Sequence, residues 1–235
     1  MARKPSRSKA KRAPARAASA TGGSDRERII QAFMQLLAAK PIEKIDLAEI
    51  AERARVPLAR LRDEFDSTLA ILAAQMKEID RQVLEGGDSE TVEEPPRDRL
   101  FDVLMRRLEA LAPYRAAVRS LMRSAMCNPG LALVLNRLAV RSMRWMLTAA
   151  GIGVAGGKGA LRAQGLALMF AQVLRVWVED EDPGLARTMA ELDRALTRGQ
   201  SWSRLLDDLC ALAPPRCPPR RRRSRRDEAD EAAAA

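Results

Sequence analysis

Histidine is absent from all 235 residues, which removes the commonest general base and the commonest metal ligand. The three cysteines, Cys127, Cys210 and Cys217, lack metal-ligand spacing. Their odd, sparse number points to a reducing, cytoplasmic setting and away from a disulfide scaffold. Gly151-Ile152-Gly153-Val154-Ala155-Gly156 matches the letters of a dinucleotide fingerprint, but a helical pattern precedes it where that motif needs a strand. Gly157-Lys158-Gly159 lacks the Ser or Thr with which a phosphate loop holds magnesium. The acids from Glu179 to Asp182 read as surface and capping residues rather than a catalytic pair. These observations predict a protein that is not an enzyme and holds no metal or cofactor.

The elements that position the remaining candidates are helical throughout. No segment keeps a period of two for long, so strands are not expected. Ser24 and Glu27 have capping-box spacing ahead of Ile29, Ile30, Phe33, Leu36 and Leu37, which share one helical face until Pro41. A short helix fits Leu47–Ala54, capped by Asp46 with Glu49 three residues on. Pro57 suits the first turn of another, through about Glu64, and Ser67 caps a longer one through Leu84. Gly86, Gly87 and the acidic stretch to Pro96 form a linker. Asp98 is placed as the cap of the next helix, Pro113 opens another, and Asn128-Pro129 starts a third. After a loop over Gly151–Gly159 comes the most apolar stretch, Leu161–Val178, apolar on more than one face. Such a helix is covered on several sides, by its own core and by a second subunit. Asp182-Pro183 starts a further helix, and Trp202–Leu212 reads as a last, short amphipathic one.

The net charge of +10 divides unevenly. Residues 1–20 hold seven basic side chains and no acid, and residues 216–226 hold seven arginines and no acid. Four acids follow in 227–235, which leaves residues 21–215 with no net charge. Residues 1–22 and 214–235 lack the apolar content for a core and are expected to be disordered. The basic arm reads either as a source of phosphate contacts or as a solvated tail. No run of apolar residues is long enough to cross a membrane.

Residues 24–84 carry Arg28-Ile29-Ile30, Ala32 and Phe33, then Ile45-Asp46-Leu47-Ala48-Glu49-Ile50-Ala51, then Val56 and Leu61, and then Phe65-Asp66-Ser67. In these residues the segment resembles the TetR family of transcriptional regulators. The resemblance implies an all-α, TetR-type fold: a three-helix helix-turn-helix head (residues 23–84) on a helical ligand-binding and dimerisation body (97–200). It further implies a homodimer on double-stranded DNA. By that resemblance Leu58, Ala59, Arg60 and Arg62 face the major groove, while Lys44 and Arg55 flank the backbone. The chain departs from the pattern where Arg55 replaces the usual glycine of the turn, Pro57 a small hydroxyl residue, Arg62 a tyrosine and Thr68 a lysine. Asp63 and Glu64 would repel phosphate wherever they face it.

A second set of residues lies in 136–150, 161–171, Arg175-Val176-Trp177-Val178-Glu179-Asp180-Glu181-Asp182 and Thr188-Met189-Ala190-Glu191-Leu192-Asp193-Arg194. In these, residues 136–200 resemble the lipid-binding accessory protein of ubiquinone biosynthesis, which shares the TetR fold without being known to read DNA. That likeness implies lipid binding and peripheral membrane contact through Trp202–Leu212, which Asp207 and Asp208 weaken. Both resemblances imply an apolar small-molecule or lipid ligand lined by Leu104, Leu108, Met122, Met126, Trp145, Met146, Met169, Phe170 and Val173. Taken one at a time, the same side chains read better as ordinary core. Of the two functions, ligand-controlled DNA binding is the one the head favours.

Overall fold

The computed structural model describes residues 24–87 and 94–212, with side chains to residue 199. The terminal arms, most of the acidic linker and the side chains of Trp202–Leu212 lie outside the described residues. Among the described residues there are only helices and turns, the all-α architecture expected. The helices fall into two compact units, divided between Ile152 and Gly153.

The first unit holds α1 (Asp25–Ala39), α2 (Leu47–Ala54), α3 (Leu58–Glu64), α4 (Thr68–Glu85), α5 (Pro96–Leu111), α6 (Arg115–Cys127) and α7 (Pro129–Ala149). Ser24 closes a full capping box: its hydroxyl accepts from the Glu27 amide, and the Glu27 carboxylate accepts from the Ser24 amide at 2.9 Å. Asp46 caps α2 through the Ala48 amide at 3.1 Å. Glu49 does not complete a second box; its carboxylate takes the Lys40 ammonium instead. Pro57 stands one residue before α3, as its N-cap, and Ser67 caps α4. Asp98 lies inside the first turn of α5, which begins after Pro95, because proline at the start needs no amide partner. A 3-10 turn over Ala112–Tyr114 takes up Pro113 before α6, and Asn128 caps α7 through the Leu131 amide.

One core ties the head to the helices behind it. Ile29, Phe33 and Leu37 of α1, Ile50 of α2 and Leu61 of α3 are almost wholly buried, with Ala117 of α6 and Leu131 of α7 in the same cluster. Lower in this unit lies a buried ion pair. Arg107 of α5, 3% exposed, reaches the Asp80 carboxylate of α4, which also accepts from the Ser142 hydroxyl of α7 at 2.5 Å. Three helices are thus joined by one carboxylate shielded from water, which strengthens its hydrogen bonds and makes each partner indispensable to the others.

The second unit is a helical pair, α8 (Gly156–Glu179) and α9 (Ala186–Leu212). The loop before α8 is shorter than the glycine pattern suggests. It ends at Ala155, and Gly156–Gly159 form the first turn of the helix. Gly159 is there because a Cβ would overlap the Val154 backbone. Asp180 and Asp182 shape the turn into α9. Asp180, fully buried, accepts from both the amide (2.9 Å) and the hydroxyl (2.7 Å) of Thr188, and Asp182 accepts from the amides of Gly184 and Ala186. The Thr188 hydroxyl holds the Asp180 carboxyl below its ordinary pKa. α9 then continues unbroken through Leu212, where the sequence pattern suggests two helices.

Candidate nucleic-acid interface

The helix-turn-helix is built from α2, a three-residue turn and α3. Arg55 ends α2 in the left-handed region (φ 53°, ψ 46°), its amide donating to the Ala51 and Glu52 carbonyls, and the Val56 amide also reaches the Ala51 carbonyl at 3.0 Å. A glycine would do this without steric cost, whereas an arginine pays about 1 kcal/mol to stand there. Val56, Leu61 and Phe65 turn inward with Ile50 and small Ala51, which fixes the crossing of the two helices. That packing leaves the other side of α3 open: Leu58 (54% exposed), Ala59, Arg60 and Arg62 all face outward. Lys44, in the 3-10 turn after α1, and Arg55 are exposed as well, and among the described residues neither forms an ion pair.

Five of the six residues singled out for DNA therefore lie on the exposed surface of one helix-turn-helix, and Lys44 stands exposed just before it. What sequence reasoning missed is how the arginines of α3 are occupied. Arg60 donates to Asp25 of α1 at 3.4 Å and lies 3.6 Å from Asp63. Arg62 pairs with Asp66. Arg26 lies 4.6 Å above the ring of Phe65 and 3.4 Å from Glu64. Asp25 is the residue without a local signal: it sits 35 positions before Arg60, and only the packing of α1 beside α3 joins them. Arg28, and after it Arg60, hold the Asp25 carboxyl below its ordinary pKa. Residues 24–66 carry eight bases and nine acids, so the head has no excess of positive charge to offer phosphate.

The expected ligand lining is divided. Leu104, Leu108 and Met146 are fully buried in the first unit, as plain core. Met122 is half-buried, Met126 is 72% exposed, and Trp145 is 54% exposed. Met169, Phe170 and Val173 belong to α8 in the other unit, where Phe170 and Val173 are buried. Of the nine, only Trp145 lines the large open groove of the first unit, about 1100 Å³, which runs from Arg26 and Glu64 along α4 to Leu138 and Ser142. Its walls are mixed in polarity rather than apolar, since Gln31, Gln75, Arg141 and Ser142 share them with Trp145. The glycine run follows α7, a helix, and Gly151 is accounted for by its left-handed backbone (φ +70°), which residues with a side chain rarely adopt. No helix among the described residues is long and apolar enough to cross a membrane.

No family model matches the chain, and no curated protein does. Solved structures do. One is the TetR transcriptional regulator from Nitrosomonas europaea ATCC 19718, with 22% identity over 77% of this chain and 99% of that one, at a TM-score of 0.60. Another is a TetR transcriptional regulator from Rhodococcus sp. RHA1, with 20% identity over 74% of this chain and 95% of that one, at a TM-score of 0.50. The chain shares the fold of these regulators, and nothing in the comparisons supports the quinone-lipid likeness.

Proposed function

We propose that this chain, built on the TetR-type fold, is a dimeric transcriptional regulator that reads double-stranded DNA with α3. The observation that carries the reading is the α2–Arg55–α3 corner, whose inner residues are buried and whose outward face holds Leu58, Ala59, Arg60 and Arg62. Each arginine of that face is already matched to a carboxylate, Arg60 to partly buried Asp25 and to exposed Asp63, Arg62 to exposed Asp66, and such pairs at the surface are weak. Phosphate or a guanine edge can take the guanidinium in exchange, at the cost of that pair. The basic arm, residues 1–20, supplies the long-range attraction that the neutral head lacks.

Dimerisation is assigned to α8 and α9. On α8 the stripe of Ala163, Leu166, Phe170, Val173 and Trp177 is buried, while Leu161 and Leu168, about half exposed and two turns apart, remain uncovered. A second copy covering that face would set the distance between two α3 helices, and so the half-site spacing. Control by an apolar ligand is the finer part of the proposal, and Trp145 in the long groove is its best support. Release of bound operator by an apolar compound, lost in Trp145→Ala, checks it.

The reading as a whole is tested by selecting genomic DNA fragments with the purified protein at about 0.15 M salt, where loose tail-driven binding is screened. A palindromic site is the expected result. Binding that is sequence-independent and vanishes with salt would sink it.

A further inference from the structure

A second groove of the first unit, about 760 Å³, lies where the end of α1 meets the end of α6 and the start of α7. Its chemistry differs from that of the head. Arg119 and Arg123 stand four residues apart on one face of α6, and both line it with Lys40. Glu43 is the single carboxylate in its walls. The 21-residue α7 begins in the same wall at Asn128 and Pro129, so the positive end of its dipole belongs to the groove.

Ser124 supplies an independent sign. It lines the groove at 7% exposure, and its hydroxyl oxygen is shut off from water with no hydrogen-bond partner among the described residues. A buried hydroxyl left so is costly, and such groups call for a partner from outside the protein. One turn earlier the Ser120 hydroxyl is satisfied, donating to the Lys40 carbonyl at 3.1 Å and joining α6 to α1.

From this convergence of two guanidinium groups, a helix start and an unsatisfied hydroxyl, we infer that the groove is a binding site for a small oxyanion, of which a phosphate monoester is the best matched class. Arginine forks bind phosphate oxygens in pairs, and rotation of the Ser124 side chain about χ1, which breaks no existing hydrogen bond, brings its shut-off hydroxyl out to donate to a further one. The occupant bridges α1 of the head to α6 and α7, beside the Ser120–Lys40 hydrogen bond. The site does not depend on what α3 reads.

Inorganic phosphate, titrated calorimetrically into the full-length protein against chloride at matched ionic strength, is the probe. One saturable equivalent is expected. Arg123→Gln weakens it by about tenfold, the worth of one charge-assisted hydrogen bond. Ser124→Ala also weakens it, yet raises the melting temperature of the phosphate-free protein, because the orphan hydroxyl is gone. Bound phosphate slows alkylation of the Cys127 peptide by a neutral reagent, since that exposed thiol lines the groove. Phosphate binding that Arg123→Gln leaves unchanged belongs to the arginine-rich tail and overturns the inference. So does a result in which Arg123→Gln weakens duplex DNA binding but no phosphate is taken up, which makes the groove a DNA contact.

Discussion

The arginines of α3 and Arg107 of α5 make the same kind of bond in opposite settings. Arg60 and Arg62 hold carboxylates at the surface, where water competes and side-chain entropy offsets the attraction. Arg107 holds Asp80 where almost no water reaches, with Ser142 completing the carboxylate's partners. The first arrangement is exchangeable and suits a surface that, on the proposed reading, trades a carboxylate for a nucleic acid. The second fixes α4, α5 and α7 against each other. Ion pairs near a binding face thus say little about stability, and those inside the body say little about recognition.

The comparison is broken most sharply at Arg107. Arg107→Met leaves Asp80 buried without its cation and should lower the stability of the first unit by about 3–5 kcal/mol in urea unfolding. Asp80→Leu, Arg107→Met and Ser142→Ala together should recover most of that loss, because the packing volume returns without a buried charge. A triple variant as unstable as the single one would show that the pair contributes net stability. In the head, Leu61→Ala should cost about 2–5 kcal/mol and abolish DNA binding with it, since the cavity opens beneath α3.

Smaller effects sharpen the contrast. Arg55→Gly should raise head stability by about 1 kcal/mol, by removing the left-handed strain, and weaken DNA binding by one phosphate contact. Arg60→Gln and Arg62→Gln should change stability by less than about 1 kcal/mol each while removing specific binding. The smallest effect is on acid stability. Asp180 is held below its ordinary pKa by Thr188, so its contribution is complete above the unfolded carboxylate pKa of about 4 and is lost as pH falls through the lower folded value. Thr188→Val should move the acid unfolding of the α8–α9 pair, followed by circular dichroism, to higher pH.

Much of the fold was legible because its signals are local. Ser24 with Glu27, Asp46, Ser67 and Asn128 with Pro129 each start a helix where their chemistry places it. The inner residues of the corner, from Ile50 to Phe65, were legible through the family resemblance and the helical spacing together. Errors arose where a residue had two roles to choose from. Glu49 had the spacing of a capping box but found Lys40, a partner set by tertiary packing. Asp98 looked like a cap, although the prolines before it had already set the start of α5. The glycines after Gly156 looked like loop, yet Gly159 is small for close approach inside a helix. At the candidate interface the exposed positions could be named from sequence, but their electrostatics could not. Arg60 is held by its near neighbour Asp63 and also by Asp25, which no period or motif brings to it. The basicity behind the head was hidden in the same way. Residues 21–215 sum to zero, yet residues 96–149 hold ten arginines and three acids.

The claim at the centre is that α3, despite its occupied arginines, reads a sequence. The most direct measurement runs the DNA fragment selection in parallel with the unaltered protein and with Arg60→Gln/Arg62→Gln, both carrying the basic tails. The account predicts one two-fold symmetric motif enriched by the unaltered protein and lost by the variant, with both proteins equally stable. The same fragments recovered by both, or no enriched motif from either, would contradict it.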